Sequence, residues 1–299
     1  KQDTLVHYAA VVPPPIKLEH SIDSKNIKPG NEVSFIVSYE NISENTVTDI
    51  NIGIESDSPF LRDGVVFSKT KIDSLAPGAT EEIVITTRLR SSIYQSETNQ
   101  YEDLVFNSRT LASYILGDGS TQKVTSYGPN ITSLLTTPVV FDSSAKYVTS
   151  SGDQLGRGPL PPKVGKETTY WVFLHVGGTT NPIKNVAVEA SLSENTRFTG
   201  KQSVSQDTGI EYNSKTHSIE WFADTIYPTL SPTSKIVGVA FEVGITPSED
   251  QIGTVPTLLE NISFSAIDSS TGAFLNKSAK NITTDLPDDA RAASKAEVE

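Results

Sequence analysis

The sequence has no cysteine and no methionine. Without cysteine there is neither a disulfide framework nor a thiolate-bound metal. Small eukaryotic secreted domains are usually stapled by disulfides, so this composition points to a surface protein made where no disulfide machinery is at hand. The chain opens on Lys1 and is expected to be a processed product or an internal fragment. No run reaches the roughly 18 apolar residues that a membrane span needs, and no leader-like segment is present. An anchor is therefore expected outside this segment. Basic residues are outnumbered 24 to 36, for a net charge of −12, and form no cluster. An acidic surface repels phosphate backbones and anionic lipid, so neither nucleic acid nor a membrane surface is an expected partner.

Reactive constellations are missing as well. His7, His20, His175 and His217 lie far apart, without the short spacings of zinc sites. There is no Gly-x-Ser-x-Gly elbow and no phosphate loop, and Gly117-Asp-Gly119 reads as a hairpin turn. No enzyme is expected. Helical periodicity is equally scarce. The one stretch with helical composition, residues 288–299, lacks an apolar stripe and reads as a polar tail or linker.

What is present is two-residue alternation. Val33, Phe35, Val37 and Tyr39 alternate with other residues, as do Ile50, Ile52 and Ile54, and Val186, Val188 and Ala190. The longest series is Val237, Val239, Phe241, Val243 and Ile245. Such runs are strands with one buried face, and the Gly, Pro, Asn and Asp clusters between them recur at sandwich spacing. Landmarks also recur in order. Lys28-Pro-Gly-Asn-Glu32 corresponds to Lys163-Val-Gly-Lys-Glu167, Leu75-Ala-Pro77 to Leu230-Ser-Pro232, and Asn130-Ile-Thr132 to Asn281-Ile-Thr283. Extra residues in the second copy fall around 199–212.

The expectation is an all-β chain of two tandem immunoglobulin-like β-sandwich domains, over residues 13–137 and 138–287. Thr136-Thr-Pro138 ends the first copy and Val139-Val-Phe141 opens the second, as Ile16-Lys-Leu18 opens the first just after Pro13-Pro-Pro15. Residues 1–12 remain over. Leu5, Val6, Tyr8, Val11 and Val12 make them apolar enough to need a partner, and they are expected to form a strand of, or for, a neighbouring repeat.

A longer string lies in the second copy. Gly152-Asp-Gln-Leu-Gly-Arg-Gly-Pro-Leu-Pro-Pro-Lys-Val-Gly165 precedes Thr168-Thr-Tyr-Trp-Val-Phe173, followed by Asn185-Val-Ala-Val-Glu-Ala190, Phe198-Thr-Gly200 and Ile219-Glu-Trp221. It resembles the bacterial surface repeats known as domain of unknown function number eleven. The resemblance covers about half the chain. It implies an immunoglobulin-like fold at a cell surface and no catalytic residues.

Trp171 and Trp221 are expected as core anchors. Both faces of the 170–173 strand are apolar, which marks Trp171 and Phe173 as candidate contact aromatics for something outside the sandwich. The Asp turns at Asp57, Asp63 and Asp268, and the link 143–153, are where a calcium ion would bind, although ordinary Asp turns are the plainer reading. Otherwise no cofactor is expected. Asn-x-Ser/Thr triplets occur at Asn41, Asn130, Asn261, Asn276 and Asn281.

The functional expectation is a structural repeat segment of an extracellular, cell-surface protein: stalk, coat or fibre. Its partners would be further repeats of the same chain, or copies of itself joined head-to-tail by strand addition. The alternative is an adhesin or a module binding surface glycans through sandwich-end loops.

Overall fold

The computed structural model describes residues 13–22, 27–61, 64–91, 105–119, 121–228 and 237–299. The chain divides into two compact units between Leu135 and Thr136. Both are all-β.

Unit one contains β1 (Ile16–Ile22), β2 (Glu32–Asn41), β3 (Val47–Glu55), β4 (Val65–Phe67), β5 (Ile72–Leu75), β6 (Thr80–Arg88), β7 (Val105–Leu116), β8 (Lys123–Tyr127) and β9 (Ile131–Leu134). One sheet has the order β1-β2-β6. The other has β4-β3-β7-β8, with β5 also on β3 and β9 also on β7. Lettered along the chain, this is A-B-E against C′-C-F-G, the arrangement of an immunoglobulin-like sandwich. β2 shows why the strands form. Val33, Phe35, Val37 and Tyr39 are buried while Ser34, Ile36, Ser38 and Glu40 look outward. Each such buried aliphatic or aromatic side chain contributes about 1.5–3 kcal/mol.

Unit two contains β10 (Val140–Lys146), β11 (Thr168–Gly177), β12 (Ile183–Leu192), β13 (Thr196–Val204), β14 (Glu211–Asn213), β15 (Ser218–Ile226), β16 (Val237–Ile245), β17 (Thr257–Asp268), β18 (Phe274–Ser278) and β19 (Ile282–Thr283). Its sheets run β10-β11-β16-β13 and β14-β15-β12-β17-β18, with β19 also on β17. Trp221, Tyr170, Phe241 and Phe264 are fully buried in its core.

Two of the three landmark pairs occupy like positions; of the third, Leu230-Ser-Pro232 lies outside the described residues. Asn31 N donates to Lys28 O, and Lys166 N to Lys163 O, closing the same turn ahead of β2 and of β11. Gly30 (φ 81°) and Gly165 (φ 68°) hold the left-handed position that such a turn needs. β9 and β19, which begin at the isoleucines of the two Asn-Ile-Thr triplets, sit alike on β7 and β17. Both units also carry a bulge where the central strand meets its partner, between Thr48 and Asn51 and between Lys184 and Ala187. At these bulges Asp49 and Asn185 take positive φ, which Asp and Asn tolerate best among non-glycine residues. The units differ where the second has extra residues: β13 and β14 have no counterpart among the described residues of unit one.

One expectation is corrected. Residues 288–299 are neither helical nor a free tail. Asp289, Ala292 and Val298 are buried, Val298 N donates to Thr254 O, and Val164 N donates to Glu299 O. Composition concealed this because the segment is tied down by backbone hydrogen bonds and isolated apolar side chains, which leave no periodic stripe. Among the described residues no helix is long and apolar enough to cross a membrane.

Candidate functional site

In unit one the ends of β3 and β7 frame an open cleft of about 580 Å³, lined by Ser56, Asp57, Asn107, Asn130 and Thr132 among others. Glu55 and Arg109 stand opposite each other in register, so their side chains share a face and pair at 2.7 Å. The Arg109 guanidinium also lies 4.4 Å from the centre of the Tyr127 ring, a cation–π contact. Ser56 Oγ donates to Asn107 O and Thr132 Oγ1 to Asn107 Oδ1, at 2.5 and 2.8 Å. The walls are therefore amides, hydroxyls and carboxylates, groups that hydrogen-bond a polar ligand.

Ser108 backs this cleft, and its hydroxyl lies 2.9 Å from His20 Nε2. The spacing of histidines in the sequence gave no hint of this contact, because it joins β1 to β7 through the fold. A serine–histidine pair suggests nucleophilic chemistry, but its surroundings differ from a working one. Both side chains are buried, and His20 Nδ1 has no hydrogen-bond partner to orient the ring. The ring instead packs near Phe35, 6.2 Å between centroids, and burial pulls its pKa below the ordinary histidine value. The pair reads as a polar contact inside the core.

In unit two the candidate contact aromatics are on the outer face of the sheet led by β10. β11 turns Tyr170, Val172 and Leu174 into the core and leaves Trp171 and Phe173 half-buried outside, with His175 next in the row. Phe173 and His175 touch, with ring centroids 6.0 Å apart. Lys146, Ser144 and Asp142 face this row from β10; Glu242, Ala240 and Gly238 face it from β16. Trp221 is a core residue and Trp171 is not. Beside Trp171, the buried Glu242 carboxylate accepts Lys201 Nζ at 2.9 Å and Thr169 Oγ1 at 3.4 Å. Burial pushes its pKa up, but these donors outweigh burial and hold it below the ordinary value.

Leu5, Val6, Tyr8, Val11, Val12 and His7 lie outside the described residues, as does Asp63. The carboxylate of Asp268 accepts the N–H groups of Thr137, Ser270 and Thr271 and the side-chain amide of Asn181. In the 143–153 link, Asp153 accepts Ser151 Oγ at 2.9 Å. Among the described residues no three of His, Asp and Glu stand together as metal ligands do. Of the five Asn triplets, Asn41 is fully buried, whereas Asn130, Asn261, Asn276 and Asn281 are exposed.

No family model matches the chain, the repeat family suggested by residues 152–221 included, and no curated protein matches it. Among solved structures it is similar to the C-terminal domain of the antigen I/II-family protein AspA of Streptococcus pyogenes, at 10% identity and a TM-score of 0.35, covering 90% of this chain and 100% of that one. The C-terminal domain of the Streptococcus agalactiae AgI/II polypeptide BspA is similar at 11% identity and a TM-score of 0.31, covering 90% and 100%. A red sea bream transglutaminase aligns at 11% identity and a TM-score of 0.25, over 89% of this chain and 30% of that one. Surface proteins and an enzyme thus align at much the same low level, a likeness of β architecture and of nothing more specific.

Proposed function

We propose that this chain is a structural segment of an extracellular surface protein, two sandwiches of one plan set in series as a spacer. The observation that carries the reading is the agreement of the two units in detail: the order of the strands they share, the turn before β2 and β11, the bulges at Asp49 and Asn185, and the seating of β9 and β19. Units that agree in framework and differ in surface loops suit a chain selected for extension rather than for one reaction. On this reading residues 1–12 close a preceding repeat. The seats they would take by repeat logic, beside β7 and β17, hold β9 and β19 of this chain, which favours a home in the parent polypeptide over exchange between copies. Removing residues 13–299 from the parent protein should then shorten its projection from the cell and leave binding by neighbouring parts intact.

The polar cleft of unit one supports a second reading, a module that binds surface glycans. Retention of a sugar by the isolated chain, lost with Asn107→Ala or Asp57→Ala, would establish it in place of the spacer reading.

A further inference from the structure

β6 pairs with β2 through nine successive residues, from Glu32 opposite Arg88 to Glu40 opposite Thr80, with no register shift. Its other edge carries no strand among the described residues. In unit two the equivalent strand, β16, is flanked on both sides, by β11 and by β13. The position beside β6 is therefore one that this fold fills when it has the residues to do so. The inner row shows the consequence. Val237, Val239, Phe241, Val243 and Ile245 of β16 are all buried, whereas on β6 only Ile85 is, with Ile83 and Thr87 half-buried. On the outer row Val84 is 57% exposed. Edge strands are usually guarded by proline, a bulge or an inward charge near the middle. β6 has none of these between Ile83 and Thr87.

We propose that β6 is a pairing edge for β6 of a second copy of this chain, antiparallel about a two-fold axis at Val84. The sequence of the strand is complementary to itself in that register. Val84 meets Val84, Ile83 meets Ile85, Glu82 meets Thr86, Glu81 meets Thr87 and Thr80 meets Arg88. No charge faces its own sign. On the outer face Glu82 lies diagonal to Arg88 of the second copy, a spacing of about 7–8 Å that these long side chains bridge. The two three-stranded sheets become one of six strands, and the free backbone donors and acceptors of both edges are satisfied. An isologous contact of this kind closes at two. It joins two copies of this chain through unit one, a contact that does not depend on the proposed spacer role.

The experiment is sedimentation of the full chain up to millimolar concentration, for the native sequence, Val84→Lys and Val84→Cys. The native chain should dimerise reversibly. Val84→Lys sets like charges across the axis and should weaken the dimer at least about tenfold, with an unchanged unfolding temperature because the side chain is exposed. The native chain has no cysteine, so oxidised Val84→Cys should give a single cross-linked dimer, while the control Val124→Cys on β8 should not. A native chain that stays monomeric overturns the proposal, as does a dimer that survives Val84→Lys. So does a dimer lost on deleting residues 1–12 but kept by Val84→Lys, which would assign the contact to the N-terminal segment.

Discussion

The carboxylate of Asp289 accepts the backbone N–H of Tyr147, 142 residues earlier in the chain, at 2.7 Å. It also accepts the N–H groups of Val148, Arg291 and Ala292 at 2.9–3.0 Å. Burial pushes the Asp289 pKa up, but the four donors outweigh burial and hold it below the ordinary carboxylate value. One side chain thus fastens the last segment of unit two to the end of β10. Asp289→Ala strands these donors and should destabilise unit two by about 3 kcal/mol. Both tryptophans belong to this unit, so fluorescence-detected urea unfolding reads the effect directly; a midpoint that does not move would refute it. Since the folded pKa is lowered, this contribution is complete above the unfolded value and is lost as pH falls through the folded one.

Acid should weaken unit one sooner. His20 is buried and its pKa is lowered by burial. The unfolded chain takes up that proton near the ordinary value of about 6.5, and the folded chain does so only at lower pH. Stability is therefore complete above about 6.5 and declines as pH falls below it. The double variant His20→Leu, Ser108→Ala removes both partners of the contact and should flatten this decline between pH 7 and 5, as followed by circular dichroism. His175 shifts in the same direction, chiefly from burial, and its share should appear in the tryptophan signal of unit two.

Asn41 should be structural and unmodified. Its amide donates to Asn45 O and Leu75 O, both at 2.9 Å, and its Oδ1 accepts Ser43 N and Ser43 Oγ. Expressed in a host that glycosylates such triplets, the chain should carry sugar at exposed sites such as Asn130 and none at Asn41, as read by peptide mass spectrometry. Asn41→Ala should cost about 2 kcal/mol through the bonds lost at the Leu75 carbonyl and the Ser43 N–H.

The Glu242–Lys201 pair should respond unequally to the removal of each partner. Glu242→Gln keeps the shape and discards the buried charge, for a cost near 1 kcal/mol. Lys201→Met leaves a buried carboxylate without its cation and should cost roughly twice that. The second penalty should grow as pH rises through the carboxylate range, because the unpaired group is then charged. Equal penalties that do not vary with pH would contradict the pairing.

Calcium should leave stability unchanged. The Asp268 oxygens already accept four protein donors, so no oxygen is spare for an ion that takes six to eight. A rise in unfolding temperature on adding calcium, reversed by chelation, would count against this.

The strands, the all-β class and two of the three paired landmarks were legible in the sequence. They depend on local chemistry: two-residue alternation buries one face, and Gly30 and Gly165 supply a turn that other residues resist. The inward face of β2 and the core position of Trp221 follow from the same patterning. Other features join residues far apart in sequence and were decided only by tertiary structure. Trp171 left the core because the β11 pleat gave the inner face to Tyr170 and Val172. The His20–Ser108 contact exists because β1 packs across the sandwich against β7. The segment 288–299 found its place through a carboxylate and backbone bonds that no periodicity records. That β6 has one neighbour among the described residues shows only beside β16, since whether a strand has one neighbour or two is a property of the sheet and not of the strand.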